Sequence, residues 1–579
     1  MPRIISDPDT FVDDALEGFV RVHADTVRRV DGGVVRATPL PQGHVAVVIG
    51  GGSGHYPAFA GTVGEGLAAG AVCGQVFTSP SAGAAYRVAK AAHAGGGVIF
   101  SFGNYAGDVI HFGEAEKRLR DEGIDCRTVL VTDDVASAPA SDVSKRRGIA
   151  GDFVVFKLGG AAAAEGQSID AVERVMRKAN AATSTMGVAW DGCTLPGADA
   201  PLFHVPEGMM SVGLGIHGEP GVRDEPTPPV EELAAALIEP LLAERPAGTD
   251  GRVGVIVNGL GTVKYEELFV LLKHVWDQLT DAGLDIVVSE CGELVTSLDM
   301  AGASLTITWL DDELQRLWEA PAYTPAYRRG SVSPAGAGAV AAGAVSGAAV
   351  SDATGAVSDA EPSVELTEAQ SAANARIVAA LEVAREAIER EHVSLGALDA
   401  IAGDGDHGTG MLRGVTAALD YATAHASSQA PRDLLAGAGD AWSEKAGGTS
   451  GALWGAMLTA LGAHVDEGAW DAATLGTAAS AAAAAVRELG KAAVGDKTMV
   501  DAIAPFVDAV LANADQPIPQ ALTAAAAAAT TAAAATAELA PKLGRARPLA
   551  ERSIGHPDPG ATSFAIIVTA LAGSEVVHV

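Results

Sequence analysis

Leu398-Asp399-Ala400-Ile401-Ala402-Gly403-Asp404-Gly405-Asp406-His407-Gly408-Thr409-Gly410 sets three carboxylates within eight residues and separates them with glycines. At about 100° per residue, a continuous helix puts Asp399 and Asp406 on one face and turns Asp404 well away from both. Only a loop brings all three together, and Gly403 and Gly405 supply the backbone freedom for one. Three converging carboxylates resist ionising together unless a cation sits among them. An oxygen-only donor set without cysteine favours Mg²⁺ or Ca²⁺ over zinc. The EF-hand is excluded, because with Asp404 in first position the twelfth is Val415 rather than Glu. Gly408-Thr409-Gly410 adds backbone N–H groups suited to phosphate, so the stretch reads as a Mg-nucleotide site. A solvated Asp-Gly turn is the plain alternative.

Around this stretch the pattern is helical from Thr367, where Thr367 and Gln370 fit a capping box. Ala-rich runs such as Ala478–Val486 and Ala521–Leu539 predict helices packed closely through small side chains, giving an all-helical domain over 366–579. Upstream, 331–365 is dominated by Ser, Gly, Ala and Val and has almost no large apolar side chain. Such a segment buries too little to offset its ordering entropy and reads as a flexible linker. Residues 1–330 alternate strand-length apolar runs (Val45–Ile49, Val98–Phe102, Thr128–Val131, Phe153–Leu158) with helical patterns at Pro80–Ala94 and Ala171–Thr183. That alternation predicts parallel sheet with crossover helices. A second α/β unit begins near Gly187, with strands at Val253–Val257 and Asp285–Ser289 about a helix at Tyr265–Leu279.

The chain has 579 residues and a formal net charge of −33. That balance argues against nucleic acid or anionic membrane as a partner. Cys73, Cys126, Cys193 and Cys291 are scattered and form no C-x-x-C pair, which fits a reducing compartment. The N-terminus lacks a signal-peptide core, and the Ala-rich runs are too weakly apolar for membrane spans, so a cytoplasmic protein is expected.

Three glycine-rich segments stand out in the first half. Gly50-Gly51-Gly52-Ser53-Gly54-His55-Tyr56-Pro57 follows a strand, as a ligand-binding turn does, and His55 can act as a base near neutral pH. It is not a P-loop, since no Lys follows. Gly103-Asn104-Tyr105-Ala106-Gly107-Asp108 follows the next strand, and Asp108 there is either a site carboxylate or a helix N-cap. Gly213-Leu214-Gly215-Ile216-His217-Gly218-Glu219-Pro220-Gly221 frees His217 for close ligand access, and a neutral imidazole can attack a carbonyl. The helical half adds Gly447-Gly448-Thr449-Ser450-Gly451, Gly495-Asp496-Lys497-Thr498-Met499-Val500-Asp501, Gly544-Arg545, and Glu551-Arg552-Ser553-Ile554-Gly555-His556-Pro557-Asp558-Pro559-Gly560-Ala561-Thr562-Ser563. Together these offer backbone donors, hydroxyls and cations for a polyphosphate.

In these motifs and in their order, the chain resembles the ATP-dependent dihydroxyacetone kinase family over nearly its whole length. The resemblance implies an α/β ketose-binding domain of two α/β subdomains, a flexible linker, and an all-α helical-barrel nucleotide-binding domain with ATP at one end. It implies that His217 forms a covalent hemiaminal with the substrate carbonyl, and that His55 and Asp108 position and deprotonate the reacting hydroxyl. Gly52, Ser53, Gly54 and Ser79 would bind the ketose. Asp399, Asp404 and Asp406 would hold two Mg²⁺ ions. His407, Gly408, Thr409, Gly448, Thr449, Ser450, Met499, Arg545, Asp558, Pro559 and Gly560 would surround ATP. A homodimer is implied as well, in which nucleotide and ketose domains of different protomers can meet.

The chain departs from the family at three places. Gly103 stands where Lys is common, Tyr56 and Phe59 replace Glu and His, and Arg547-Pro548 replaces Ser-Tyr. Losing the Lys removes a donor and bulk beside Asp108 and suits a ketose one carbon longer, so erythrulose is expected slightly ahead of dihydroxyacetone. The rival readings are a lyase that cyclises FAD to cyclic FMN, a non-catalytic ketose sensor, and a phosphoenolpyruvate-dependent phosphotransfer subunit. The intact His217 and the aspartates argue against the sensor, and the fusion of the two domains favours exchangeable ATP.

Overall fold

A computed structural model describes residues 4, 7–8, 10–219, 221–331, 366–403, 405–465, 471–543 and 550–575. The segment expected as a linker, 331–365, therefore lies outside the described residues apart from Ser331, as do Asp404 and Arg545.

After helix α1 (Phe11–Val22), six strands form the first sheet: β1 (Val27–Val30), β2 (Gly33–Arg36), β3 (Ala46–Ser53), β4 (Gly70–Val76), β5 (Val98–Gly103) and β6 (Cys126–Val131). Their order is β1-β2-β4-β3-β5-β6; β4, β3, β5 and β6 run parallel, and the β1–β2 hairpin closes one edge antiparallel. Helices α2 (Ala82–Ala92) and α3 (Ala106–Asp121) cover one face, and α4 (Gly151–Ala164) with α5 (Ile169–Ala181) cover the other. Both faces being covered, β3 and β5 are buried almost throughout and read as near-continuous apolar runs rather than alternating ones. Val48 and Phe100 pack with α2 and α3, while Val47, Ile49 and Ile99 join the core that includes α4.

Phe153–Leu158, expected as a strand, lies inside α4. Every residue from Gly151 to Ala163 is buried, Asp152 and Lys157 included, so the helix has no solvent face from which a helical period can be read.

The second sheet contains β7 (Thr183–Asp191), β8 (Met209–Val212), β9 (Arg223–Pro226), β10 (Arg252–Gly259), β11 (Asp285–Gly292) and β12 (Ala301–Trp309), in the order β11-β10-β12-β7-β8-β9. Here the parallel expectation fails: β10 and β11 are parallel, but every other pairing is antiparallel. The cause is connectivity, since the α7 crossover (Tyr265–Asp281, following α6 at Val230–Ala243) joins only β10 to β11. Helix α8 (Asp312–Glu319) ends the half and packs on α4.

In the helical half, α9 (Glu368–Asp399) starts on the expected capping box: the Thr367 hydroxyl accepts from Gln370 N at 3.2 Å, and Gln370 Oε1 accepts from Thr367 N at 3.0 Å. Then come α10 (His407–His425), α11 (Pro431–Ala446), α12 (Gly448–Gly462), α13 (Ala472–Gly490), α14 (Val500–Ala512), α15 (Ile518–Ala535), the short α16 (Ala550–Ser553) and α17 (Pro559–Ala572). From α9 to α15 each helix packs on the next; α15 then packs on α17, and α17 returns to α9. The ring is a closed barrel. Buried alanines such as Ala482, Ala525 and Ala529 let its helices approach closely. Its interior is apolar, with a cavity of about 270 Å³ lined by Leu381, Trp454, Phe506 and Phe564 among others. A triphosphate does not belong in that lining, which leaves the polar loops at the barrel's end as the place for a nucleotide.

Candidate active site

The triple glycine does not form a turn after β3 as expected; it is part of the strand. Gly50 to Ser53 pair with Val72 to Val76 of β4, and the chain turns only at Gly54, with φ +106°. Glycine is required here by packing: a Cβ on Gly51 would lie 2.7 Å from the Phe59 ring, and one on Gly52 would lie 2.7 Å from Thr78 N. The Ser53 hydroxyl donates to Gly74 O at 2.7 Å.

The turn delivers His55 beneath a loop of the second sheet. Leu298 N donates to Gly54 O at 2.8 Å, and the Thr296 hydroxyl donates to Tyr56 O at 2.8 Å. His55 Nδ1 faces Thr296 O at 2.7 Å and must carry the hydrogen there. Burial, with the neighbouring His217, pushes the His55 imidazole down to about 3, so it is neutral in ordinary buffers.

His217 arrives on the β8–β9 loop, and its Nε2 lies 3.0 Å from His55 Nε2. Its Nδ1 faces Glu219 Oε1 at 3.2 Å, and its backbone N–H donates to Glu219 Oε2 at 2.9 Å. Arg147 lies 3.7 Å from Glu219 and 2.7 Å from the buried Asp134. Burial alone would raise the Glu219 carboxyl, but His217 and Arg147 outweigh it and hold the group well below the usual carboxylate range. The outer nitrogens of the histidine pair both face acceptors and carry hydrogens. A hydrogen bond between the inner pair therefore needs one further proton, and without it His217 Nε2 presents a lone pair. Two rings fix the pair: Phe77 stacks on His55 at 5.1 Å, while Phe77 and Tyr105 meet His217 edge-on at 5.2 and 4.7 Å. Phe77 holds φ at +56°, an uncommon conformation for its type.

Asp108 is buried in the first turn of α3. One residue before it, a Cβ on Gly107 would lie 2.5 Å from Ser79 Oγ and 3.5 Å from Thr449 N. The helical half thus meets the α/β half at this point, within one chain. His111 Nε2 donates to Gly448 O at 2.9 Å, and Arg87 reaches Glu444 at 2.8 Å.

At the barrel's end, Asp399 closes α9, and its Oδ2 accepts from Gly405 N at 2.9 Å. Asp406 precedes α10. Enclosure by the surrounding protein, then the charge of Asp399, push the Asp406 carboxyl up to about 7, although its outer edge stays open to solvent. Two carboxylates held against each other, with oxygen donors only, fit a hard divalent cation. Among the described residues no three His, Cys, Asp or Glu side chains form a ligand set, and the expected third ligand, Asp404, lies outside them.

His407 Nε2 bonds the Ser563 hydroxyl at 2.9 Å, and its Nδ1 faces Ser450 Oγ at 3.4 Å. Asp558 caps α17 through Ala561 N at 2.7 Å. Burial and the nearby Asp501 and Asp399 push its carboxyl up to about 7, against that hydrogen bond and Lys497. Met499 backs Gly560, whose Cβ would lie 3.4 Å from it. Thr409, in the first turn of α10, is exposed, and Pro559 opens α17. Gly408 is required by packing as well, since a Cβ there would lie 1.8 Å from His392 O. Lys497 spends its ammonium on the carbonyls of Ser553 and Leu539, at 2.6 and 3.1 Å, rather than on the mouth of the barrel.

Comparison with known proteins adds an independent line. The Dak1 domain model matches residues 17–326 and the DAK2 domain model matches residues 401–573. The chain is 53% identical to a D-erythrulose kinase of Mycolicibacterium smegmatis, covering 99% of this chain and 98% of that one. It is 51% identical to an L-erythrulose kinase of Pectobacterium atrosepticum, covering 99% and 96%. Among solved structures, the dihydroxyacetone kinase from C. freundii in complex with AMP-PNP and Mg²⁺ matches with a TM-score of 0.52 at 28% identity, covering 99% of each chain.

Proposed function

The chain belongs to the dihydroxyacetone kinase family, and from that premise we infer an ATP-dependent kinase that phosphorylates a terminal hydroxyl of a short-chain ketose. Erythrulose is the favoured substrate and dihydroxyacetone the alternative. The erythrulose kinases it resembles support this, and because a D-specific and an L-specific name stand at 53% and 51% identity, chirality is left to experiment.

The observation that carries the reading is the meeting of the two halves: Thr449 N lies 3.5 Å from the point where a side chain on Gly107 would begin, beside Asp108. Phosphoryl transfer needs donor and acceptor aligned more than it needs covalent help. His217, with Nδ1–H turned to Glu219, attacks the ketose carbonyl through the Nε2 lone pair. The carbonyl oxygen takes up a proton and becomes the hemiaminal hydroxyl, while Glu219 balances the charge on the ring. Asp108, with His55 beside His217, receives the proton of the reacting hydroxyl. Gly52, Ser53, Gly54 and Ser79 line the ketose. Asp399, Asp404 and Asp406 would hold Mg²⁺, two ions in the family pattern, which when bound would neutralise phosphate charge. His407, Gly408, Thr409, Gly448, Thr449, Ser450, Met499, Arg545 and the Asp558–Gly560 turn enclose ATP. The domains divide at 1–330, 331–365 and 366–579, in a cytoplasmic homodimer.

ATP consumption measured against dihydroxyacetone, D- and L-erythrulose and glycerol tests the reading. Ketoses should be phosphorylated and glycerol hardly at all. His217→Ala should cut kcat/KM for ketoses on the order of a hundredfold, typical of losing a positioning group. Equal loss for ketose and polyol, or production of riboflavin cyclic phosphate from FAD instead, would overturn it.

A further inference from the structure

His111 lies on α3 three residues after Asp108, so the two side chains share one face of the helix. It is fully buried, and its Nδ1 has no hydrogen-bond partner among the described residues. Burial pushes the imidazole down to about 4, so it is neutral and carries one hydrogen. That hydrogen sits on Nε2, because the atom 2.9 Å away is the Gly448 carbonyl oxygen, which can only accept. An apolar side chain of similar volume would fill the same place without stranding Nδ1. What the imidazole adds is this single bond, and the bond crosses from the ketose half to the helical half.

It ends on a particular peptide. Gly447 closes α11 and Gly448 opens α12, with φ of +62° and +59°. Gly448 N also donates to Ser79 O, but at 3.5 Å, so the His111 bond is the stronger of the two that hold this residue to the ketose half. A Cβ on Gly447 would lie 2.6 Å from Thr78 Cγ2, so the close approach of the two halves depends on glycine there. Thr449 N follows directly. It is one of the first amides of α12, which have no partner inside the helix and lie at the positive end of its dipole. It stands 3.5 Å from the point where a side chain on Gly107 would begin, next to Asp108.

We propose that His111 is a positioning residue for phosphoryl transfer: its bond to Gly448 O sets the nucleotide loop 447–449 against the turn of α3 that carries Asp108. This rests on the ketose kinase reading above. The residue acts through Gly448 and Thr449 rather than on either substrate. A phosphoryl donor and an acceptor hydroxyl held on separate halves react only when those halves are in register, and a misplacement of about 1 Å costs about a hundredfold. Arg87–Glu444 and Arg118–Asp440 also cross between the halves, but both pairs lie at the surface, where long side chains and screening leave the loop's position unspecified.

The test compares two variants with wild type in the full chain: His111→Met, which fills the space but donates nothing, and His111→Gln, which keeps an N–H close to the position of Nε2. His111→Met should lower kcat by about tenfold or more, with erythrulose and dihydroxyacetone alike. The Kd of ketose without nucleotide, and that of Mg-AMP-PNP without ketose, should stay within about twofold, since each ligand then sits on one half. His111→Gln should recover most of kcat, a rescue that a purely structural role does not give. Wild-type kcat in His111→Met, equal losses in the two variants, losses confined to ketose or nucleotide affinity, or a His111→Met chain that does not fold would each overturn the proposal and leave His111 a packing residue. A wild type that phosphorylates no ketose refutes the kinase reading instead, before any variant is compared.

Discussion

Replacing Glu219 by Gln tests whether the nucleophile depends on its partner's charge. The substitution keeps volume and an acceptor oxygen but removes the charge that faces His217 Nδ1 at 3.2 Å and Arg147 at 3.7 Å. A hydrogen bond to a charged group contributes about 1.5–3 kcal/mol and a neutral one about 0.5–1.5, so the change costs roughly 1–2 kcal/mol. The loss should appear in the hemiaminal, whose ring carries the positive charge that Glu219 balances. At about 1.4 kcal/mol per decade, ketose affinity without ATP should fall roughly 5- to 30-fold. Calorimetric titration with ketose measures this, and kcat/KM should fall in parallel. In a His217→Ala background the same substitution should cost nothing more, since the two residues act as one unit. Additive losses in the double variant, or unchanged affinity in the single one, would refute the argument.

Three further outcomes follow from the geometry. Asp399→Ala should abolish turnover and Mg²⁺-dependent nucleotide binding while ketose affinity stays intact; wild-type turnover at limiting Mg²⁺ would remove Asp399 from the ligand set. His55 and His111 are held neutral by burial, at about 3 and about 4, so only the unfolded chain takes up their protons below its own value of about 6.5. Stability should therefore decline from about pH 6.5 downward, by up to roughly 1.4 kcal/mol per pH unit for each group, and the thermal midpoint of a His111→Gln variant should fall less steeply between pH 6.5 and 5; identical slopes would count against this. The pairs Arg87–Glu444 and Arg118–Asp440 join the two halves at the surface, where ion pairs are weak and screened. Turnover should drop several-fold in 0.5 M salt with ketose affinity unchanged, and Arg87→Glu with Glu444→Arg should restore what either single reversal loses.

The sequence made the strands of β3, β5, β10 and β11 legible because each is a short apolar run bounded by Gly or Asp. Phe153–Leu158 was illegible for the same reason: an apolar run buried on all sides has no period. The triple glycine invited a turn, whereas its cause is a Phe59 ring and a Thr78 amide brought against β3 from elsewhere in the chain. His55 and His217 were visible in their motifs. The residues that set their protons were not, because Thr296, Arg147 and Asp134 come from distant segments. Glu219 lay in plain view two positions from His217, yet nothing local assigns it the imidazole.

Among the described residues, the hairpin that carries His217 is joined to β7 at two paired positions, Val188 with Val212 and Ala189 with Ser211, and by Gly213 N donating to Gly187 O at 2.7 Å, and β9 is the outermost strand. Elements tied so lightly open at a free energy below that of the whole domain. A ketose bonded to His217, as proposed above, would stitch that hairpin to the first sheet through His55 and Asp108. Substrate would then act as a missing stretch of tertiary structure. Amides of Met209–Val212 and Arg223–Glu225 should exchange fastest with solvent when ketose is absent, and slow as it is added. In that sense the enzyme would finish folding each time it binds.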